Sequence, residues 1–411
     1  MPTPSVERQL SDHTELHAFP APEAKGERIR LAIVRQRYNP AGGAERFVSR
    51  ALDVLRDAGS LDVSLLARRW EPIEGIRAVT VAPFYFGNVW RDWGFARAAR
   101  RVWLAEGFDL VQSHERIPGC DVYRAGDGVH ARWLALRRQT MGFWRRLSLW
   151  LNPYHHYVCR AERRMFLDPR LKLVICISQM IKREIQQTFG LPDERLAVIY
   201  NGVDTEAFHP SLRERHRAAM RAAWDIPDDA PLLLFVGSGF ERKGVARALK
   251  AIEAHAQIYL VVVGADKHLA RYQRLAESLG LARRVRFCGP QQDVKPFYGM
   301  ADGFLLPTLY EPFGNVCIEA LACGLPVLTS TTCGAAELIT PGENGWVADA
   351  LSPPAWSEAV GAWLAARARW DALSLSARRT AEPMRLSVMA DTLLANYHRL
   401  LQSLPQRGPH G

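Results

Sequence analysis

One stretch restricts the fold more than any other: Leu305-Leu-Pro-Thr-Leu-Tyr-Glu-Pro-Phe-Gly-Asn-Val-Cys-Ile-Glu-Ala-Leu-Ala-Cys-Gly-Leu-Pro-Val327. Leu305, Leu306 and Pro307 end a buried strand. A turn follows at Gly314, and a helix begins near Asn315 and stops at Gly324, a residue type that terminates helices well. Pro326-Val-Leu-Thr329 opens the next strand. Glu311 then lies in the strand-to-helix loop and Glu319 about one turn into the helix. Beyond Phe313 and Gly314, the backbone N–H groups of Asn315, Val316 and Cys317 are expected to point out of the helix N-terminus, a ready site for an anion. A carboxylate beside it can accept hydrogen bonds from sugar hydroxyls. An anion cradle flanked by two such carboxylates, Glu311 and Glu319, suits a nucleotide-sugar.

The same alternation of short apolar runs with helical stretches recurs along the chain. Runs at 30–35, 63–66, 78–82, 110–113, 121–125, 173–177 and 197–200 read as one set of strands. Runs at 232–237, 258–263, 285–288, 303–306, 327–329 and 346–347 read as a second set. Between strands, residues 44–55 carry helical apolar spacing at Phe47, Val48, Ala51, Leu52 and Leu55. Such alternation predicts an α/β architecture of two doubly wound, parallel-sheet units. The expected layout is a flexible tail over 1–28, a first Rossmann-like domain over 29–205 and a polar linker over 206–230. A second Rossmann-like domain follows over 231–385, and then an amphipathic closing helix with a tail over 386–411.

Three more loops carry chemistry. Pro40-Ala-Gly42-Gly43 ends a strand-to-helix connection in the first unit, where paired glycines let backbone approach a bulky anion. It is not a G-x-G-x-x-G dinucleotide fingerprint. Gly237-Ser-Gly-Phe-Glu-Arg242-Lys243-Gly244 follows the first strand of the second unit and sets two cations beside a glycine-rich loop. When a nucleotide-sugar bond breaks, negative charge grows on the diphosphate, and fixed cations stabilise it without a metal. Asp127 sits between two glycines after a strand of the first unit, at the carboxyl end where α/β sites form.

These motifs carry a family resemblance. The E-x7-E pair Glu311 and Glu319, followed by Ala-Leu-Ala-Cys-Gly-Leu-Pro-Val, resembles the signature of retaining glycosyltransferases of family 4, which have the two-domain GT-B fold. Pro118-Gly-x-Asp-Val-Tyr-x-Ala-x-Asp127, with the Gly237 to Gly244 loop, is similar to the lipopolysaccharide core glucosyltransferase type within it. The resemblance implies two Rossmann-like domains facing across a cleft, a UDP-linked hexose donor held mainly by the second domain, and a lipid-linked or oligosaccharide acceptor. It further implies that Arg242 and Lys243 hold the diphosphate, that Glu319 takes the ribose hydroxyls and that Glu311 contacts the transferred sugar. Asp127 then matches a cleft aspartate near that sugar, Gly42 and Gly43 close over the phosphates, and neither cofactor nor metal is required. Many members carry an arginine where this chain has Ser238, and Gly334-Ala335-Ala-Glu337 stands where the family has two glycines. Two other readings share the fold: a membrane-associated nucleotide-sugar-binding protein without activity, and a nucleotide-sugar epimerase.

Charge adds a partner. The chain of 411 residues carries a net charge of +10, which implies an anionic counterpart. From Arg132 to Phe166, arginines interleave with Trp133, Phe143, Trp144, Trp150, Tyr154 and Tyr157, and Glu162 is the one acid. That composition suits an interface with anionic lipid, and no nucleic-acid recognition motif accompanies it. With no run of ~20 apolar residues and no signal-peptide pattern at the start, the expectation is a cytoplasmic protein, peripheral at the inner face of the membrane. The seven cysteines form no C-x-x-C pair and read as reduced.

Overall fold

A computed structural model describes residues 29–37, 61–70 and 76–403. The helix expected over 44–55 and the Gly42-Gly43 loop lie outside the described residues. Each of the predicted apolar runs forms a strand. The first sheet holds β1 (Ile29–Arg37), β2 (Leu61–Arg69), β3 (Arg77–Thr80), β4 (Leu110–Ser113), β5 (Val122–Arg124), β6 (Leu173–Cys176) and β7 (Leu196–Val198), in the order β3-β2-β1-β4-β5-β6-β7. The second holds β8 (Leu232–Val236), β9 (Tyr259–Val263), β10 (Val285–Gly289), β11 (Gly303–Leu306), β12 (Val327–Ser330) and β13 (Gly345–Ala348), in the order β10-β9-β8-β11-β12-β13. All pairings are parallel. Strands such as Leu232-Leu-Leu-Phe-Val236 are buried throughout because helices cover both faces of a parallel sheet. The result is two Rossmann-like domains of the GT-B type.

Strand order reverses between β1 and β4 in the first sheet and between β8 and β11 in the second. Ligands of open α/β sheets bind outside the carboxyl ends of the strands at such a switch. The Gly237–Gly244 loop follows β8 and the Pro307–Gly314 loop follows β11, so both second-domain motifs fall at that point.

The stretch 206–230, read from sequence as a polar linker, has a different structure. It contains a helix, Leu212–Ala223, that packs on the helix Lys295–Met300, and Phe208, Leu212 and Ile226 join the second core. Arg213, Arg217 and Arg221 stand four residues apart on one helix face and converge on the buried Asp302 carboxylate at 3.1, 2.8 and 2.7 Å. Arg221 is 0% exposed and also donates to the carbonyls of Met300, Pro227, Asp228 and Ala230. An arginine-rich composition reads as solvated in sequence. Here one member is fully satisfied inside.

The last helix, Leu386–Ser403, packs Met389, Leu393 and Tyr397 into the first domain's core beside Leu31, Ile33 and Val122. Tyr397 Oη donates to Gln112 at 2.5 Å.

Candidate active site

Glu311 is the centre of the site. Its backbone N–H donates to the Thr332 carbonyl at 3.0 Å, and the residue pairs with Cys333 in a one-residue parallel bridge, so the loop is pinned to the second sheet. Its carboxylate lies 2.5 Å from Lys243 Nζ and 3.4 Å from Arg242 Nη1. Burial alone would raise the Glu311 pKa. The two cations outweigh burial, Lys243 more than Arg242, and hold it below the usual carboxylate range.

Local geometry explains the glycines on either side. Gly244 ends the cation loop at φ +91°, and a Cβ there would meet the Pro307 carbonyl oxygen at 1.9 Å. That close approach lets the two loops join: Leu309 N–H and Thr308 Oγ1 both donate to the Arg242 carbonyl, at 2.8 and 3.1 Å. Gly314 caps the helix Asn315–Ala322 at φ +92°, a conformation side chains with a Cβ rarely adopt.

Several expectations for this turn need correction. The Cys317 N–H is not presented to a ligand, because it donates to the Gly314 carbonyl at 2.8 Å within the turn. The Phe313 ring and the Cys317 side chain are buried in the second core, where Phe313 packs on Tyr200 with ring centres 5.7 Å apart. They support the turn and offer no side-chain surface to a substrate. Glu319, in the same helix, is half-buried and accepts from Tyr298 Oη at 2.8 Å. Asn315 Oδ1 accepts from Asn201 Nδ2 at 2.6 Å.

Asp127 comes from the first domain. Its side chain is 68% exposed and stands 3.5 Å from Arg116 Nη1. The following residues bring its loop to the second domain, where Tyr310 Oη accepts from the Val129 N–H at 2.9 Å and donates to Glu184 at 2.6 Å. Tyr310 immediately precedes Glu311 and sits in the first domain's core cluster. Glu311, Lys243 and Arg242 are thus in mutual contact, and the Asp127 loop is tied to them through Tyr310.

Sequence reasoning missed the residues that lock the two domains together. Glu337 accepts from the N–H groups of Gln179 and Met180 at the start of the helix Gln179–Phe189, and from Tyr200 Oη at 3.0 Å. Burial raises its pKa against those hydrogen bonds. Ser178 Oγ donates to the Pro312 carbonyl at 2.8 Å. Glu162, the one acid of the basic stretch, is buried; it pairs with Arg116 at 2.9 Å and accepts from the His130 N–H at 3.1 Å. Burial first, then Arg116 and His155, push His130 down to about 4, so its ring is neutral at neutral pH. Two sequence signals fall at this seam: Asn201-Gly-Val-Asp204, an Asn-Gly turn after β7, and the Gly334-Ala-Ala-Glu337 motif.

Comparison with known proteins follows the same division. Residues 41–207 match the family described as Glycosyltransferase Family 4, and residues 216–380 match Glycosyl transferases group 1. The chain is 28% identical over 324 residues to the lipopolysaccharide glucosyltransferase WaaG of Escherichia coli K12, covering 77% of this chain and 84% of that one. It is 30% identical over 423 aligned positions to the D-inositol 3-phosphate glycosyltransferase of Corynebacterium urealyticum, covering 93% of this chain and 98% of that one. A crystal structure of WaaG, a glycosyltransferase involved in lipopolysaccharide biosynthesis, superposes with a TM-score of 0.75 at 27% identity, over 88% of this chain and 98% of that one. With two parallel sheets, both motif loops at the second switch point and a relative that spans nearly the whole chain, the protein belongs to the GT-B glycosyltransferases of the family 4 type.

Proposed function

We propose that this enzyme is a retaining, metal-independent transferase that moves glucose from a UDP-linked donor to a lipopolysaccharide core or other cell-envelope glycan. The observation that carries the reading is the convergence of Lys243 and Arg242 on the largely covered Glu311 carboxylate, 13% exposed, at the second sheet's switch point. In transfer, the bond from the anomeric carbon to the diphosphate oxygen breaks and its electron pair stays on that oxygen. The acceptor hydroxyl forms the new bond on the same face of the sugar and gives its proton to the departing phosphate. Charge therefore grows on the diphosphate, and Lys243 and Arg242, the cations beside Glu311, would stabilise it there. Glu311 would contact the sugar and stabilise the oxocarbenium-like transition state, and Glu319 would accept from the ribose hydroxyls. The first-turn backbone of Asn315 and Val316 would face the phosphates. Asp127 would approach the transferred sugar from the acceptor side. The acceptor class rests on WaaG, which its name and its structure place in lipopolysaccharide biosynthesis.

A thermal-shift screen over UDP-, GDP- and ADP-sugars, followed by assay of UDP release with a core oligosaccharide, tests this directly. UDP-glucose should give the largest shift, and the product should keep the donor's anomeric configuration by NMR. A larger shift with a GDP- or ADP-sugar would overturn the donor assignment. Activity should survive EDTA almost unchanged; a strict Mg²⁺ or Mn²⁺ requirement would show that the cation loop does not neutralise the leaving group.

We also place the enzyme at the inner face of an anionic membrane. On the helix Phe143–Leu151, Phe143 is 69% exposed and Trp144 78%, with Trp150 and Leu151 also outward. Exposed aromatics beside Arg145 and Arg146 suit an interfacial helix. Among the described residues no helix is long and apolar enough to cross a membrane. Each arginine near an anionic surface contributes on the order of 1 kcal/mol, screened by salt. Co-sedimentation with vesicles should rise with anionic lipid, fall with salt, and drop when Arg137, Arg138, Arg145 and Arg146 become Gln. Binding indifferent to those changes would make the segment ordinary surface.

A further inference from the structure

A second concave site lies wholly within the first domain. It is a cavity of about 1000 Å³ between the helix Gly87–Glu106, the loop after β4 and the helix Pro153–Phe166. Arg97, Arg100, Arg101, Arg116, Arg160 and Arg164 line it, and no Asp or Glu does among the described residues. Arg116 has acid partners in Glu162 and Asp127, and Arg97 stacks on Trp93 at 5.8 Å. Arg100, Arg101, Arg160 and Arg164 have no acid partner among the described residues. Packing cations around a concavity without counter-charge is unfavourable through mutual repulsion, unless an anion settles among them. The rest of the wall is apolar or aromatic: Trp93, Leu104, Ile117, Leu151 and Tyr157.

We infer that this cavity is an acceptor subsite that seats the acidic groups, phosphate or sugar carboxylate, of an anionic glycan. The inference rests on the acceptor reading above. Guanidinium forks match both oxyanions, and an aromatic wall such as Tyr157 suits the C–H faces of sugar rings. A hollow of about 1000 Å³ suits a discrete branched anion better than the flat plane of lipid headgroups. Its position also fits. Arg116 lines the cavity and at the same time contacts Asp127 and the Gly128 carbonyl. The next residue of that loop, Val129, hydrogen-bonds Tyr310, the neighbour of Glu311. Arg116 thereby ties the cavity wall to the Asp127 loop, which in the reading above approaches the transferred sugar.

The test uses Arg100→Gln/Arg101→Gln, two exposed arginines without acid partners among the described residues, in the full-length enzyme. Binding of deacylated lipopolysaccharide core oligosaccharide is followed by Trp fluorescence and calorimetry, beside a neutral oligosaccharide, inorganic phosphate and phosphatidylglycerol vesicles. The acidic oligosaccharide should bind, the neutral one should not, and the double variant should weaken binding by about 100-fold or more, as the loss of two charge-assisted contacts predicts. The KM for acceptor should rise while UDP binding and vesicle binding stay at wild-type levels. Unchanged affinity for the acidic oligosaccharide, or a loss confined to vesicles, overturns the subsite. Loss of UDP binding or of transfer in the wild-type protein would instead sink the donor reading, because no cavity residue lies in the second domain.

Discussion

Replacing Glu311 with alanine should reduce transfer by about 100- to 1000-fold or more while the protein stays folded, the scale seen when one preorganised electrostatic group is removed from an active site. The carboxylate sits in a loop whose backbone is pinned independently of the side chain, by the Thr332 carbonyl and the Cys333 bridge, so the loop keeps its path without it. Lys243→Ala acts differently. It removes the cation nearest the leaving group, and a charge-assisted contact of this kind is worth about 1.5–3 kcal/mol. It also leaves Glu311 buried with only Arg242, at 3.4 Å, to offset desolvation. Burial raises the Glu311 pKa and Lys243 is the largest influence lowering it, so in Lys243→Ala the acid limb of the pH–rate profile should move to higher pH. The sign for stability follows. The folded-state pKa of Glu311 is depressed below its ordinary 4.5, so its ion pair stabilises the protein above that value and the contribution fades as pH falls through the folded-state pKa. Wild-type turnover in Glu311→Ala at saturating donor, or an acid limb in Lys243→Ala that stays in place, would show that this cluster is structural.

The largest effect on stability is expected at Asp302→Ala. It leaves Arg221 buried without its counter-charge, and breaking a buried pair from one side costs about 3–5 kcal/mol. Burial already depresses the Arg221 pKa against the pull of Asp302, which indicates how strongly the charge depends on its partner. For a domain of this size the melting temperature should fall by roughly 10 °C. An apolar pair, Arg221→Met/Asp302→Leu, should recover only part of that loss, because it removes the unpaired buried charge but leaves the carbonyls that Arg221 satisfied without that donor. Calorimetry on the three proteins decides. A single variant that melts within a degree or two of wild type would mean that the helix Leu212–Ala223 is the loose connection its composition suggested.

Sequence by itself determined the repeating units. Every strand run was legible, because a fully buried parallel strand must be an unbroken apolar stretch, and Leu232-Leu-Leu-Phe-Val236 can be little else. The loops bearing Glu311, Lys243 and Arg242 were legible too, because glycines at places such as Gly244 and Gly314 mark backbone that no other residue follows easily. What tertiary structure alone decided is how distant charges pair. Nothing local to Glu337 shows that it caps a helix of the other domain, or to Glu162 that it is buried against Arg116. Nothing local to Arg221 shows that it lies beneath the surface. A polar residue reads the same in sequence whether water or a remote partner satisfies it, and only the folded chain, by excluding water at particular points, distinguishes the two.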